Sequence, residues 1–262
     1  MMFISFGLYG LLLWDVTTKE VKTIPEPDLS GKMTRNTRSH SGMGIDPVSG
    51  DYKVVRILMT YPILHSIDCI PDTKAELYSF KTGHLKQIPY PHQFQFCGDP
   101  VCSVHVNGSY YWALSKEPGY ILSFDFATEK FDSRLIPIPK TRGIVVDHFP
   151  NFHLVEFQGS LALVYNKWAD NNLAAAVKES CPDFEIWVWN DESWSLVSAF
   201  SIPVPNPCFM GFLENDKLFI KHNDNKLLLF DLATRQLHDL GPWDPLLEQK
   251  IFPLVPGFLS TP

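Results

Sequence analysis

One short pattern recurs five times in this chain. An aromatic residue is followed by Asp, Asn or Ser, then by Thr or Ser three residues later, and by an apolar residue three residues after that. The polar residues of the five copies are Asp15, Ser79, Asp125, Asn190 and Asp231, at spacings of 64, 46, 65 and 41 residues. Irregular spacing of roughly 50 residues is typical of repeated β-blades joined by loops of variable length. The pattern predicts a repetitive scaffold for binding and disfavours a catalytic chain.

Each copy of the pattern predicts two strands joined by a tight turn. The aromatic residue ends an apolar strand, as in 227–230, and an apolar residue begins the return strand. Asp, Asn and Ser share a side-chain oxygen that can accept a hydrogen bond from a backbone N–H two residues on and so start a turn. The repeated polar residues are therefore predicted to form turns and not to serve as catalytic carboxylates.

A second signature places a turn former before an apolar strand. It occurs in segments 108–112, 159–163 and 215–219, and with a longer turn in 44–55. Such segments predict β-hairpins. Together the two signatures predict an all-β fold, a kelch-like β-propeller or partial propeller, in a single domain over residues 1–262. The predicted repeats are 2–25, which is partial, and 44–89, 103–137, 154–203 and 211–240.

Charge and the N-terminal stretch limit the classes of partner. The net charge is −7 over 262 residues, which disfavours nucleic-acid binding through a broad basic surface. The apolar stretch 1–14 is shorter than the ~20 residues that a transmembrane helix needs. It also lacks the basic start and small-residue cleavage site of a signal peptide. We therefore expect no membrane partner and a cytoplasmic or nuclear protein that is not secreted.

The five cysteines are widely spread and contain no C-x-x-C motif. Free thiols in a reducing compartment are the main interpretation, and a disulfide between Cys97 and Cys102 stays open as an alternative.

No catalytic motif is present: the sequence has no G-x-S-x-G, H-E-x-x-H, P-loop or G-x-G-x-x-G segment. His105 lies in an alternating strand and is predicted to be a hydrogen-bonded sheet histidine and not a ligand. His148 and His153 are five residues apart, which is a weak metal signal. We expect no catalytic residue, no metal and no cofactor.

The binding surface is predicted in the long connections between strands, where recognition residues usually lie. These connections are 59–74, 90–102, 140–153, 166–183 and 203–209. The candidate protein-binding residues in them are Phe94, Phe96, His148, Phe149, Phe152 and Trp168. The aromatic strand 184–189 is predicted to be core, with an exposed Trp that anchors a partner as the alternative.

Several segments resemble the plant F-box-associated domain. Residues 42–56, GMGIDPVSGDYKVVR, closely resemble that family's GFGYDPVTDDYKVVR segment, and 12–20 followed by Ile24-Pro25 is similar to its LWNP opening. Weaker matches follow in the family's order, at 76–82, 106–112, 121–125, 186–188 and 193–194. The resemblance covers about residues 10–240.

The resemblance implies a non-catalytic protein-recognition module. In F-box proteins of this group, which include the S-locus F-box proteins, an N-terminal F-box binds the Skp adaptor of an SCF-type ubiquitin ligase. The β-rich domain captures the protein to be ubiquitylated. No F-box is found before residue 11, so we expect Skp and cullin as partners only where an F-box is supplied elsewhere. The first alternative is a carbohydrate-binding propeller, and the second is a propeller enzyme such as a glycosidase or copper oxidase.

Overall fold

The fold is all-β, as predicted. The computed structural model describes residues 2–6, 10–14, 19–26, 37–61, 71–91, 100–114, 119–139, 152–166, 183–204, 208–213, 216–222 and 226–242. Within them every regular element is a β-strand and every strand pair is antiparallel. The same residues contain no helix that could span a membrane.

The strands form five sheets, each built from consecutive strands. Sheet 1 contains β1 (Met2–Phe6), β2 (Gly10–Trp14) and β3 (Val21–Ile24). Sheet 2 contains β4 (Thr37–Ile45), β5 (Tyr52–Thr60), β6 (Asp72–Ser79) and β7 (Leu85–Ile88). Sheet 3 contains β8 (Pro100–Val106), β9 (Ser109–Leu114), β10 (Tyr120–Asp125), β11 (Lys130–Phe131) and β12 (Ile136–Pro137). Sheet 4 contains β13 (Phe152–Phe157), β14 (Ser160–Asn166), β15 (Asp183–Trp189) and β16 (Trp194–Ser201). Sheet 5 contains β17 (Cys208–Leu213), β18 (Lys217–Lys221), β19 (Lys226–Asp231) and β20 (Leu237–Pro242).

The first strands of sheets 2 to 5 lie innermost. β4 packs beside β8, β8 beside β13, and β13 beside β17. The second strand of a sheet is well buried. In sheet 4, five consecutive residues of the second strand, β14, are buried, whereas the outer strand β16 is largely exposed. A strand covered on both faces reads as a continuous apolar run, which is why β14 does not alternate. The sheets thus follow one another around a common inner edge, as in a propeller.

The hydrophobic core lies between the sheets. The buried apolar residues form four clusters, and each cluster joins two consecutive sheets. Ile24 and Met43 meet between sheets 1 and 2, and Leu77 and Trp112 share the cluster between sheets 2 and 3. Burying large aromatic and aliphatic side chains in these wedges is the main favourable contribution to the fold.

The repeated polar residues form turns, as predicted. Oδ1 of Asp125 accepts a hydrogen bond from the backbone N of Thr128 at 2.6 Å and from its hydroxyl at 2.7 Å. Asn190 accepts from Ser193 N at 2.9 Å, Asp231 from Thr234 N at 2.8 Å, and Ser79 from Thr82 N at 3.2 Å. The Thr or Ser three residues on is thus part of the turn, since its N–H donates to the polar side chain. The fifth copy, at Asp15, lies outside the described residues.

The fourth residue after the polar one often has a left-handed backbone. Lys19, Gly83, Glu129 and Arg235 have φ of 62°, 70°, 56° and 60°. A type I turn followed by one left-handed residue is a common hairpin connection. The copy at Asn190 differs, because there the left-handed residue is Asp191, directly after the polar one.

Two faces of the molecule follow from this topology. The hairpin turns 46–51, 80–84, 107–108, 126–129, 158–159, 190–193 and 232–236 lie on one face, which we call the turn face. Turns of consecutive sheets touch there, since Nδ2 of Asn107 donates to the carbonyl of Gly159. Antiparallel pairing brings the opposite strand ends to the other face, which we call the loop face. The long connections 27–36, 62–70, 92–99, 140–151 and 167–182 all begin and end there.

One strand begins earlier than the sequence signatures indicate. β4 begins at Thr37, whereas the predicted repeat begins at residue 44. Residues 37–41 are Thr, Arg, Ser, His and Ser, which show no apolar alternation. They are held in the sheet by pairing with β5, from Thr37 opposite Thr60 to Ser41 opposite Arg56. Tertiary pairing therefore overrides a weak local strand signal here.

Candidate functional site

A buried lysine joins sheets 2 and 3. Lys53 lies on β5, and its Nζ donates to Oδ2 of Asp46 at 2.8 Å within sheet 2. The same Nζ donates to Oε1 of Glu129 at 2.8 Å and to the carbonyl of Phe126 at 3.3 Å, both in sheet 3. Glu129 occupies the left-handed position of its turn. Its other carboxylate oxygen accepts from the exposed Lys86.

The electrostatics of this group favour its charged form. The hydrogen bonds from Lys53 and then from Ser49 hold the pKa of Asp46 well below its usual range. Burial alone would lower the pKa of Lys53, but the bonds to Asp46 and Glu129 outweigh it and raise that pKa. For Glu129, burial opposes the two lysines, and the net effect lowers its pKa. At neutral pH the group is therefore a fully charged ion network at a sheet boundary.

A buried arginine joins sheets 1 and 2. Arg56 is only 1% exposed, and its Nη2 lies 2.7 Å from Oε2 of Glu76. Nη1 and Nη2 both donate to the carbonyl of Pro25, each at 3.2 Å. Pro25 directly follows β3, so the guanidinium ties the outer strand of sheet 1 to the middle of sheet 2. A planar guanidinium with several fixed donors suits such a bridge better than a lysine does.

Two glycines allow sheet 3 to approach β4. A Cβ atom on Gly44 would lie 2.2 Å from Cε2 of Phe126, and one on Gly42 would lie 2.5 Å from Cδ1 of Tyr110. Phe126 is fully buried. Glycine is therefore required at residue 44 by close packing between two sheets.

Polar contacts also join sheets 3 and 4. Sγ of Cys102 accepts a hydrogen bond from the backbone N of Leu154 at 3.4 Å. Cys102 carries a free thiol, so the alternative of a disulfide with Cys97 is wrong. Burial raises the pKa of Cys102 to about 12, which keeps the thiol protonated and unreactive.

Two histidines on inner strands, His105 and His153, are neutral. His105 lies on β8 beside Phe126, with ring centroids 6.1 Å apart, and His153 lies on β13 beside Phe209 at 5.4 Å. Burial lowers the pKa of each to about 4. His105 differs from the prediction in one respect, because its Nε2 has no hydrogen-bond partner among the described residues. No group of three His, Cys, Asp or Glu within the described ranges is arranged to hold a metal ion.

Comparison with known proteins places the chain in a family. The model of the F-box associated beta propeller domain matches residues 1–240. The chain belongs to this F-box associated propeller family. The "F-box protein CPR1" of Arabidopsis thaliana is 23% identical over 273 residues, which cover 90% of this chain and 62% of that protein. The "F-box protein At3g20690" of Arabidopsis thaliana is 26% identical over 162 residues, covering 58% of this chain and 37% of that protein.

The chain therefore spans less than two thirds of the length of these F-box relatives. Among solved structures, an oligogalacturonate lyase in complex with manganese aligns over 92% of this chain and 61% of its own, with 12% identity and a TM-score of 0.48. A similarity of this size carries no functional argument.

The buried joints involve several residues of segment 42–56. Residues 42–56 of this F-box associated propeller supply the close-packed glycines, the Asp46 turn, Lys53 and Arg56. Asp51 in the same segment accepts hydrogen bonds from the Ser79 hydroxyl at 2.5 Å and from Lys81 N at 2.8 Å. The segment thus fastens sheets 1, 2 and 3 together.

The predicted binding residues are placed as follows. Phe94, Phe96, His148, Phe149 and Trp168 lie outside the described residues, in connections that begin and end on the loop face. They stay predictions. Phe152 is described and corrects its prediction: it is 1% exposed, begins β13, and packs in the cluster between sheets 3 and 4. A side chain buried in this way is not available to a partner.

Sequence reasoning missed a group of aromatic residues at the outer rim between sheets 3 and 4. Tyr111, Trp187, Trp189 and Trp194 pack against that boundary but remain half-buried. We call them the rim cluster. The sequence contained a signal for them, because an exposed Trp that anchors a partner was the alternative to core packing for the aromatic strand 184–189. The rings come together only in the folded chain. Trp189 pairs with Trp194 across two strands, and Tyr111 of sheet 3 packs at the same boundary.

Proposed function

We propose that this chain is the client-recognition part of an F-box type ubiquitin ligase subunit and acts without catalysis. The loop face would capture a protein, and an F-box supplied elsewhere would connect it to a Skp adaptor and cullin. We propose the cytoplasm or nucleus as the place of action. The observation that carries the proposal is the topology: in a member of the F-box associated propeller family, the strand ends that flank five long connections lie on one face.

The rigidity of the described sheets supports this function. Four hydrophobic clusters and the two buried cation joints fix the strand ends from which the connections emerge. Loops held on a rigid scaffold lose less conformational entropy on binding than loops on a mobile one. The use of carboxylates supports a non-catalytic role, since Asp46, Asp125 and Asp231 are occupied in turns.

A paired-variant experiment tests the proposal. The 262-residue chain and a Phe94→Ala/Phe96→Ala variant would be used for affinity purification from Arabidopsis extract, followed by mass spectrometry. A Lys81→Ala/His84→Ala variant on the turn face is the control. We expect one or a few proteins to be retained by the parent chain and the control and lost from the loop variant. Equal retention by all three would contradict recognition by this loop region.

The ligase connection needs its own readout. The F-box of a relative would be fused to the chain, and the half-life of the retained protein would be measured in cells with and without a cullin inhibitor. We expect the fusion to shorten that half-life only while the cullin is active. We also expect the 262-residue chain alone not to co-purify with the Skp adaptor. An unchanged half-life, or a stable one-to-one complex of the unfused chain with Skp, would contradict the proposed coupling.

A further inference from the structure

The rim cluster opens toward solvent near the turn face. The Trp189 and Trp194 rings are 5.4 Å apart between centroids and are inclined at 55°. Nε1 of Trp194 donates to the carbonyl of Pro137 at 2.7 Å, which ties sheet 4 to sheet 3. Nε1 of Trp187 donates to Oε2 of Glu185 at 3.1 Å. The indole N–H groups of Trp187 and Trp194 are thus used internally, and the cluster presents partly exposed aromatic side chains to solvent.

Three carboxylates belong to turns that adjoin the strands of the cluster. Asp125 ends β10, Asp132 follows β11, and Asp191 lies between β15 and β16. Burial is the main cause that raises the pKa of Tyr111, and the charges of Asp191, Asp125 and Asp132 add to it. Asp125 is paired with Ser109, which lies two residues before Tyr111 on the same face of β9, and Asp191 lies in the turn that joins Trp189 to Trp194.

These carboxylates form few hydrogen bonds with the rest of the described chain. Asp125 and Asp132 use Oδ1 for the turn bonds to Thr128 N and Arg134 N. Asp191 is exposed and forms no hydrogen bond with the described residues. Negative charge near aromatic faces attracts a cation both by ion pairing and through the ring quadrupole.

The residues that the structure describes place no cation over the rings of this cluster. Among the described residues, the cation–π contacts are Arg38 over Tyr61 and Arg235 over Phe200. Two basic residues of the same region, Lys130 and Arg134, are exposed, and neither lies over a ring of the rim cluster. The net charge of −7 adds a general attraction for basic partners.

We propose that the rim cluster and its three carboxylates form a docking surface for a basic segment of a partner protein, with an arginine side chain seated on the tryptophan rings. Tyr and Trp on a solvent-exposed rim are the residue types that most often anchor protein partners. Rings inclined at 55° do not make the flat platform on which a sugar stacks, so charge and ring geometry together favour a cationic side chain. The proposal does not depend on the client-binding role proposed above.

Titration calorimetry with defined peptides tests this surface. The probe is an acetylated peptide of alternating arginine and glycine, and the comparison peptide carries uncharged citrulline at each arginine. We expect the arginine peptide to bind and the citrulline peptide to bind at least about tenfold more weakly. The Asp132→Asn/Asp191→Asn variant, which changes only exposed turn residues, should weaken the arginine peptide about fivefold, and Trp189→Leu should do the same.

The matched control is Asp72→Asn/Asp216→Asn, which removes the same charge from exposed acids of sheets 2 and 5. It should change the dissociation constant less than about twofold. The proposal is overturned if the arginine peptide does not bind, or if citrulline binds equally. It is also overturned if both double variants weaken binding alike, which would reveal general attraction to an acidic chain. Displacement of the peptide by neutral oligosaccharides would assign the surface to carbohydrate instead.

Discussion

The guanidinium of Arg56 donates two hydrogen bonds to the carbonyl of Pro25, each at 3.2 Å, across the boundary between sheets 1 and 2. Its remaining strong contact is the 2.7 Å ion pair with Glu76 in its own sheet. Removing the arginine would leave both the carbonyl and a buried carboxylate without their partner. Arg56 is thus a polar joint of this boundary, beside the hydrophobic cluster that contains Ile24 and Met43.

Arg56→Leu is therefore expected to lower the free energy of unfolding by about 3–5 kcal/mol. Arg56→Leu/Glu76→Leu should recover part of that loss, because it leaves no unpaired buried charge. Urea denaturation followed by tryptophan fluorescence measures both. A double variant no more stable than the single one would show that the loss comes from packing and not from the stranded carboxylate.

Lys53→Met removes the cation shared by Asp46 and Glu129 and is expected to destabilise the protein by about 3 kcal/mol. Lys86→Met is the matched control, since Lys86 contacts the same Glu129 but its side chain is 56% exposed. The control should change stability by less than about 1 kcal/mol. Similar losses in the two variants would contradict the special role of the buried lysine.

The hairpin turns could be predicted from the sequence, but the buried polar contacts between sheets could not. An Asp231 turn is closed by Ala233 and Thr234, so the residues that define it are neighbours in the chain. Lys53 and Glu129 are 76 positions apart, and only the packing of sheet 2 on sheet 3 brings them together. The family-like segment marked Lys53 as part of a distinctive motif, and nothing in its local pattern named a partner.

The burial of residues at the ends of strands also could not be predicted from the sequence. Phe152 adjoins a long connection and looks like a loop aromatic, yet β13 begins with it and directs it into the core. Trp189 lies in a strand that looks like core, yet it reaches the rim because the outer strand beside it is exposed. The local sequence pattern predicts that a segment is a strand. How deeply its residues are buried depends on the position of that strand in the assembled sheets.

Asp231→Ala removes the acceptor for two backbone N–H groups at the turn between β19 and β20. We expect the unfolding free energy to fall, because the N–H groups of Ala233 and Thr234 lose their acceptor. Asp231→Asn keeps the acceptor oxygen and should lose less than half as much. Asp216→Ala, an exposed acid at the neighbouring turn, serves as the control and should be neutral. Thermal unfolding by circular dichroism ranks the three, and an Asn variant as unstable as the Ala variant would exclude the turn-capping explanation.

Gly44→Ala places a methyl group 2.2 Å from the ring of the buried Phe126. Overpacking of this kind is expected to lower unfolding free energy by about 1–3 kcal/mol. Adding Phe126→Leu should restore part of it by opening space. Gly50→Ala is the contrasting variant, because a Cβ there meets nothing within 4 Å although φ is +66°. Its loss arises from backbone conformation, so Phe126→Leu should not relieve it, and additive effects at Gly44 would contradict the packing argument.

Stability is expected to fall as the pH drops below about 6.5. Burial lowers the pKa of His105 and of His153 to about 4 from an ordinary value of 6.5. The folded state therefore binds fewer protons than the unfolded state between these values, and unfolding takes up as many as two protons there. Above pH 6.5 both states are neutral at these histidines and the effect vanishes. Asp46 and Glu129, whose pKa values are lowered, add a further loss at lower pH, beginning below their ordinary values of 3.8 and 4.5.

The proton uptake can be assigned by measuring unfolding free energy in urea at several values between about pH 7.5 and pH 4.5. His105→Leu should flatten the dependence by about one proton, because the unfolded chain then has one fewer site to protonate. It should not reduce stability at neutral pH, since the buried Nε2 of His105 has no partner among the described residues. His84→Gln, at an exposed turn, should leave the slope unchanged. If His105→Leu leaves the slope of the parent chain intact, the acid sensitivity comes from other groups.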